Sequence, residues 1–392
     1  MDNRIKVLFV SDLVAPTGFA KVSHSIIKFL PQDKYEIHGL GVNYRGDPHN
    51  YGFPIYPAGM GGRVYGEDRL VQLLQGIKFD IVYILNDAWI VNVYLNAIKE
   101  AKLEHMPKIV VYFPVDSEYH DPEWYKNFDI VSKAVTYTNY ARNVVNDDTC
   151  APKLKLSIIP HGIDKSVFYK KFVVRKDAKL TLFGDTPNAH KFIFLNANRN
   201  QPRKRLDITM EGFKLFSAGK DDVALYMHCG VRDAHIDVPR LAIRLGIDSK
   251  LILTSLRPGI QTVPEDVLNT IYNACDVGLN TSLGEGWGLT SIEHAVTGAP
   301  QIVPNHSACA EIFGGCGVMV PPKLGFTFDH SMTVGQLVDP IDVASAMEKV
   351  YSNKEYYNEV SQSAMEKFLS EKYSWEHISH MWDEVFTEVI NN

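Results

Sequence analysis

Across its 392 residues the chain runs twice through the same alternation of short β-branched runs and helical stretches. In the first half the strand-like runs are 5–10, 37–42, 80–85, 109–113, 134–138 and 156–159. Between the first two, residues 20–30 place Val22, Ile26, Ile27 and Leu30 at helical spacing. Runs that are apolar almost throughout, instead of at every second position, belong to strands covered on both faces. Parallel strands joined by helices bury them in that way. A second alternation follows at 192–196, 223–229, 251–254, 277–280, 301–303 and 317–320. Between the two, residues 164–191 lose the period and carry Lys170-Lys171 and Arg175-Lys176-Asp177-Ala178-Lys179, a polar and basic connection. The expected architecture is α/β, with two Rossmann-like parallel-sheet domains facing each other across a cleft. The bounds set for them are 1–170 and 171–373. The last pattern, from Ser374, has Trp375, Ile378, Met381, Trp382, Val385 and Phe386 apolar and reads as a separate amphipathic helix.

Bulk properties narrow the class. The length exceeds one ordinary core, and 45% hydrophobic with 22% charged residues describes an ordinary globular protein. A net charge of -6 argues against a surface coated for non-specific nucleic-acid binding. Ile5 to Val10 follow Met1-Asp2-Asn3-Arg4 directly, so no signal peptide is expected, nor does any apolar run approach membrane-spanning length. The five cysteines are scattered and lack Cys-x-x-Cys spacing, which reads as free thiols in a reducing, cytoplasmic setting.

In parallel sheets ligands gather at the carboxyl ends of the strands, so the residues just after each run carry the chemistry. In the first half these are Pro16-Thr17-Gly18-Phe19, Asn86-Asp87, Pro114-Val115-Asp116, Asn139-Tyr140 and Pro160-His161-Gly162-Ile163-Asp164. Gly18 would let the backbone approach a phosphate, or would simply turn the chain. Asp87 and Asp116 would meet substrate hydroxyls, or would cap helices.

The second half holds the densest feature, Gly284-Glu285-Gly286-Trp287-Gly288-Leu289-Thr290-Ser291-Ile292-Glu293, running on to Gly298-Ala299-Pro300. Glycines bring the backbone close to a ligand, and the helix that follows aims free N–H groups at an anion. Glu285 in the loop and Glu293, about two turns into that helix, are suited to accept hydrogen bonds from sugar hydroxyls. Taken alone, such a loop is more often a glycine-rich surface turn with two solvated glutamates. Its company favours a site, because Asn196 to Arg205 follow the first strand of this half. That stretch places Arg199, Arg203, Lys204 and Arg205 within seven residues before a helix over 206–216. Such cations are a solvated charge run or a diphosphate seat, and their position between strand and helix favours the latter. No Asp-x-Asp occurs, so fixed cations and helix dipoles would stabilise a departing diphosphate where other proteins use a metal.

Glu285-x7-Glu293 with Gly286-Trp287-Gly288-Leu289, preceded by Tyr272 to Val277 and followed by Gly298-Ala299-Pro300, resembles the retaining family-four (group 1) glycosyltransferases of the GT-B fold. Arg199 and Lys204, five apart, resemble the diphosphate-binding Arg and Lys of that family. Pro160-His161-Gly162-Ile163-Asp164 is similar to its hinge-proximal Pro-Asn-Gly-Val-Asp, and Tyr373-Ser374-Trp375-Glu376 to the start of a last helix that crosses back onto the first domain. The resemblance implies that 374–392 completes that domain, and that Glu285, Arg199, Lys204 and Asp116 are catalytic. It implies a donor site of Gly18, Gly286, Trp287, Gly288, Leu289, Glu293, Arg257 and His161. Glu293 would hold the ribose and Arg257-Pro258-Gly259 the nucleobase. It further implies a UDP- or GDP-type nucleotide-sugar donor, no metal and no other cofactor, and domains that close on the donor. Two positions depart from the pattern. Phe19 stands beside Gly18 where the family commonly has a second glycine, and Val115-Asp116 stands where it often has His-Asp, so a catalytic histidine is absent there. Histidines otherwise read as structural, His161 included on its own merits.

The acceptor is less legible. Residues 43–66, with Gly61-Gly62-Arg63, form an unusually long connection and are expected to be an acceptor loop, with Arg45, His49, Arg63 and Tyr65 as contacts. A glycan, a lipid-linked glycan met through peripheral membrane contact, or a small molecule fits, with a modified DNA base as runner-up. A non-catalytic nucleotide-sugar binder is a competing reading. So is a GT-B epimerase or a phosphorylase, although no acid/base or cofactor-lysine motif supports those two.

Overall fold

The computed structural model describes residues 4–60, 62–63 and 65–392, so Gly61 of the expected acceptor loop lies outside the described residues, as do 1–3 and 64. β1 (Ile5–Asp12) buries Val7, Leu8, Phe9 and Val10 completely, which requires cover on both faces. Its parallel partners supply the sheet: β2 (Tyr35–Val42), β3 (Ile55–Pro57), β4 (Ile81–Leu85), β5 (Lys108–Phe113), β6 (Lys133–Thr136) and β7 (Leu156–Ile158). Their order is β3-β2-β1-β4-β5-β6-β7. The helices α1 (Gly18–Phe29), α2 (Glu67–Gly76), α3 (Ala88–Ala101) and α4 (Asn139–Val145) connect them. β6 stops at Thr136, short of the expected 138, because the Thr138 hydroxyl accepts from Ala141 N–H and caps α4. β3, three residues long inside the 43–66 segment, had no periodic signal of its own.

This first unit runs to Gly162 and also contains Ser331–Thr333 and Lys372–Asn392. Its C-terminal helix (Trp375–Asn391) is capped by Ser374, whose hydroxyl accepts from His377 N–H. Trp382 meets Tyr83 of β4 edge-on, ring centroids 5.1 Å apart, and Phe386 meets Phe9 of β1 at 6.3 Å. Lys34 Nζ donates to Asp383 Oδ1 at 2.6 Å, fixing the helix register from outside the core.

The second unit, Ile163–His330 with Val334–Glu371, repeats the design. β8 (Phe192–Asn196), β9 (Val223–Met227), β10 (Leu251–Leu253), β11 (Val277–Leu279), β12 (Gln301–Pro304) and β13 (Val318–Val320) are parallel in the order β10-β9-β8-β11-β12-β13. Between and after them lie α5 (Arg175–Phe183), α6 (Leu206–Phe216), α7 (Val238–Leu245), α8 (Glu265–Ala274), α9 (Leu289–Ala295), α10 (Ser307–Phe313), α11 (Pro340–Ser352) and α12 (Lys354–Phe368).

Two features differ from expectation. The basic stretch read as a connection contains α5, two of whose cations, Arg175 and Lys179, turn inward while Lys176 stays exposed. Lys179 Nζ lies 2.6 Å from Asp276 Oδ2 with both residues buried, and Arg175 Nη1 donates to the carbonyls of Tyr272, Asn273 and Cys275. A charged helix that buries its charges shows no apolar period, so the sequence signal misleads. The second is a hairpin of β14 (Pro322–Thr327) and β15 (Val334–Val338), antiparallel and separate from the main sheet. β14 is exposed throughout, and Gln336 N–H of β15 donates to the Leu283 carbonyl at 2.7 Å.

Candidate active site

In the second sheet the strand order reverses between β8 and β11, and the loops after those two strands therefore diverge and leave a crevice. The β8 loop brings Arg199 to Arg205, and the β11 loop brings Asn280 to Gly288. The two loops are fastened to each other. Leu283 N–H donates to the Arg203 carbonyl at 2.8 Å, and the Thr281 hydroxyl donates to the Arg205 carbonyl at 2.8 Å. Below them Asn196 of β8 bonds Thr209, whose hydroxyl meets that of Thr281 at 2.7 Å. Asn196, Thr209, Thr281 and Leu283 are all buried, so the base of the loops has little freedom.

Glu285 is the focus. Its carboxylate accepts from Lys204 Nζ at 2.5 Å, Ser282 Oγ at 2.7 Å, Asn280 Nδ2 at 3.1 Å and Arg203 Nη1 at 3.3 Å. Arg203 Nη1 also bonds the Gly284 carbonyl. Burial by itself would raise this carboxyl, but Lys204 and Arg203 outweigh it and hold Glu285 at about 2. For Lys204 burial is the larger influence and lowers the ammonium, with Glu285 pulling the other way. At neutral pH the pair is ionic, since Glu285 has already lost its proton.

From the far side Ser307 Oγ accepts the Glu285 N–H at 3.0 Å. Ser307 has φ +50, a conformation uncommon outside glycine. His306 beside it is buried and lowered to about 4, burial outweighing the charge of Glu285. The sequence reading missed Arg203 as the partner of Lys204, along with Asn280, Ser282, His306 and Ser307. The rule of looking just past each strand, applied to β12, would have found His306 and Ser307.

The four cations do not act as one seat. Arg203 and Lys204 converge on Glu285, whereas Arg199 pairs with Asp233 at 2.7 Å and Arg205 with Asp207 at 2.6 Å. Lys204 and Glu285 are thus brought together as expected, and Arg199 is directed to a different carboxylate.

Beyond the loop, Gly286 and Trp287 are buried while Gly288 and Leu289 are partly exposed. Gly288 adopts φ +95 at the N-cap of α9, where a side chain would be strained and where none caps the first turn. Glu293 stands just past one turn into α9, not two, because the helix begins at Leu289. Its Oε2 accepts from the Tyr272 hydroxyl at 2.9 Å, with both groups buried. Arg257 is exposed, and its carbonyl accepts from Val231 N–H at 3.2 Å. Gly230 is obligatory there, since a Cβ would lie 1.6 Å from the Gly259 carbonyl oxygen. The loops after β9 and β10 are therefore pressed backbone to backbone.

The remaining expected site residues belong to the first unit. Gly18 opens α1 at the carboxyl end of β1. Thr17 caps that helix and donates to Asp12 Oδ2 at 2.7 Å. Asp116, half-buried, accepts from Ser117 Oγ at 3.3 Å. His161 is enclosed by the rings of Tyr137, Tyr112 and Trp375, and burial lowers it to about 3, a neutral core histidine. In the 43–66 segment Tyr51 stacks on His24 at 4.0 Å and His49 lies 5.5 Å from Tyr51. Tyr65 packs on Trp89, while Arg45 and Arg63 are exposed.

No protein-family model matches the chain. By structure, sucrose-phosphate synthase from Thermosynechococcus elongatus aligns with a TM-score of 0.74 at 13% identity, over 99% of this chain and 100% of the other. WaaG, a glycosyltransferase involved in lipopolysaccharide biosynthesis, gives 0.71 at 12% over 98% and 100%. HepE of Anabaena, in complex with UDP and glucose, gives 0.69 at 14% over 98% and 100%. These alignments take in nearly the whole chain. The fold is GT-B. By sequence, 195 residues, or 49% of the chain, are 25% identical to the serotype-specific mannosyltransferase WbdA of Escherichia coli. The match spans 21% of that protein's length, about a fifth. The fold is the one that the resemblance of the Glu285–Glu293 motif implied, and the relative matched in sequence is a mannosyltransferase. Among the described residues no helix is long and apolar enough to cross a membrane, and no cluster of three metal-binding side chains occurs.

Proposed function

We propose that the chain is a retaining glycosyltransferase that moves a sugar from a nucleoside diphosphate to an acceptor hydroxyl, with protein cations in the role that a metal plays elsewhere. The observation that carries this reading is the buried Lys204–Arg203–Glu285 cluster at the strand-order reversal of the second sheet. A buried carboxylate with four side-chain donors is a costly arrangement for stability alone. It becomes useful when an anion arrives, because the largely desolvated Lys204 ammonium and the partly exposed Arg203 guanidinium are already held in place for phosphate oxygens. Glu285 then keeps Asn280 and Ser282 and turns an oxygen to the sugar hydroxyls. Lys204 and Arg203 take up the negative charge that develops as the bond from the anomeric carbon to the diphosphate oxygen breaks.

The acceptor oxygen bonds that carbon from the same face, and its proton passes to the departing diphosphate. No enzymic base is needed, consistent with Val115 standing before Asp116. Arg199, held by Asp233, joins the diphosphate only if that pair opens. In this reading Glu293, fixed by Tyr272, holds the ribose, and the Gly230 and Gly259 loops meet the base. WbdA is a mannosyltransferase and HepE was captured with UDP, so mannosyl and UDP-linked donors head the search.

The test is the anomeric proton coupling of the product in ¹H NMR, with EDTA present throughout. A product with the donor's configuration, formed at an undiminished rate, supports the proposal. Inversion, or loss of transfer under EDTA, overturns it.

A further inference from the structure

Tyr140, Asn143 and Val144 share one face of α4, because residues three and four apart are neighbours on a helix, and Asp147 continues that face past its end. With Glu118 and Tyr119 from the loop after β5, and Thr149 and Cys150, they line a pocket of about 350 Å³. That is the size of a small-molecule site, above the lower bound of roughly 300 Å³. All eight residues belong to the first unit, and Tyr140 is among those expected just after a strand-like run. One wall is the loop after β5, and the other is the helix that follows β6 together with the turn beyond its end. Glu118 is two residues from Asp116.

The lining has a definite chemistry. Tyr119 is 68% exposed and held at φ +59, a backbone state expensive for a bulky residue, so its ring is presented instead of buried. Tyr140 is half-buried, and burial together with the charges of Glu118 and Asp116 raises its hydroxyl, which stays a donor. Burial and the Asp147 charge raise the Cys150 thiol to about 11, so it is an uncharged wall and not a nucleophile. Asp147 Oδ1 accepts from both Thr149 N–H and its hydroxyl, which fixes the rim. No lysine or arginine lines the pocket.

We propose that this pocket binds an uncharged sugar ring of the acceptor, a refinement that rests on the transferase reading above. Two tyrosine rings suit the C–H faces of a pyranose, and carboxylate, amide and hydroxyl groups suit its hydroxyls. A phosphate or a nucleic-acid backbone would instead meet Glu118 and Asp147 with no cation to pair it. The acceptor is accordingly a neutral glycan.

Saturation-transfer NMR on the full chain, without nucleotide, tests this with the methyl α-glycosides of glucose, galactose and mannose and their 6-phosphates. At least one neutral glycoside is expected to bind, with its 6-phosphate weaker by about tenfold or more. Tyr119→Ala should weaken the neutral ligand by about tenfold. Glu118→Gln should narrow the gap between the neutral glycoside and its 6-phosphate. The proposal falls if no neutral glycoside binds, if the phosphates bind as well, or if Tyr119→Ala changes nothing. It falls too if Lys204→Met abolishes binding while Tyr119→Ala keeps it, since the sugar would then occupy the donor site. Glycoside binding by a chain that takes up no nucleotide sugar would sink the transferase reading and leave the pocket standing.

Discussion

Glu285 has four side-chain donors, and of the two cationic ones Lys204 is largely shielded from water while Arg203 is partly exposed. Replacing Lys204 by Met keeps the stem but removes the charge meant for the diphosphate. Glu285→Gln keeps the shape and removes the acceptor for Lys204 and the sugar. Each variant is expected to lose about a hundredfold or more in kcat/KM, the scale of one preorganised charge or donor at a transition state. Steady-state kinetics on folded variants checks this, and full activity in either variant would remove the residue from the chemistry. Arg199→Met is the informative contrast. If Asp233 holds Arg199 throughout the cycle the loss is much smaller than for Lys204, and an equal loss would mean that the pair opens on the donor.

At the scale of elements, the loops after β8 and β11 were legible because glycines and cations at strand ends have few other uses. The network beneath them was not, since Asn196, Thr209 and Thr281 are ordinary polar residues whose meaning lies in being buried together. α5 shows the opposite failure. Its lysines and arginine gave the pattern of a solvated connection, and only the position of Asp276 after α8 turns Lys179 inward. Lys179→Met leaves that carboxylate with Ile193 N–H and a distant Arg175, and should cost about 3–5 kcal/mol, the usual loss on breaking a buried pair. Denaturant unfolding would show it, and an unchanged midpoint would mean the pair is not buried in solution. Gly230→Ala must separate the β9 and β10 loops, because backbone and not side chain blocks the Cβ. The expected result is a fall in nucleotide affinity with donor-sugar contacts at Glu285 retained, visible as a raised donor KM with kcat less affected. The hairpin of β14 and β15 escaped the sequence reading because its exposed strand has no buried face to reveal it.

For the whole molecule, buried histidines set the response to acid. His120, His161, His228, His294 and His306 are lowered by burial to about 4, 3, 4, 3 and 4. In the unfolded chain they protonate near 6.5, so on acidification the unfolded state binds protons first. Stability contributed by keeping them neutral is whole above about 6.5 and declines as pH falls towards 4. Glu285 adds a second decline, intact above the ordinary 4.5 and lost as pH falls through about 2. Thermal unfolding at constant ionic strength should therefore show a midpoint that drops steadily from about pH 6.5 to about pH 4, and a flat profile would contradict the burial of these rings.

The two-sheet architecture was readable throughout, because apolar runs at regular intervals leave a chain few alternatives. The loops after β8 and β11 stand out within it by their glycines and cations, whereas the pocket of Tyr119 and Tyr140 has no such pattern.

The most direct test of the account is the thermal shift given by UDP, GDP, ADP and TDP, with EDTA present, on the wild type and on Lys204→Met. A shift from one of these nucleotides in the wild type, absent in the variant, is the predicted result and names the donor base. A shift that survives Lys204→Met, or none with any of the four, would show that the Lys204–Arg203–Glu285 cluster is not a diphosphate seat.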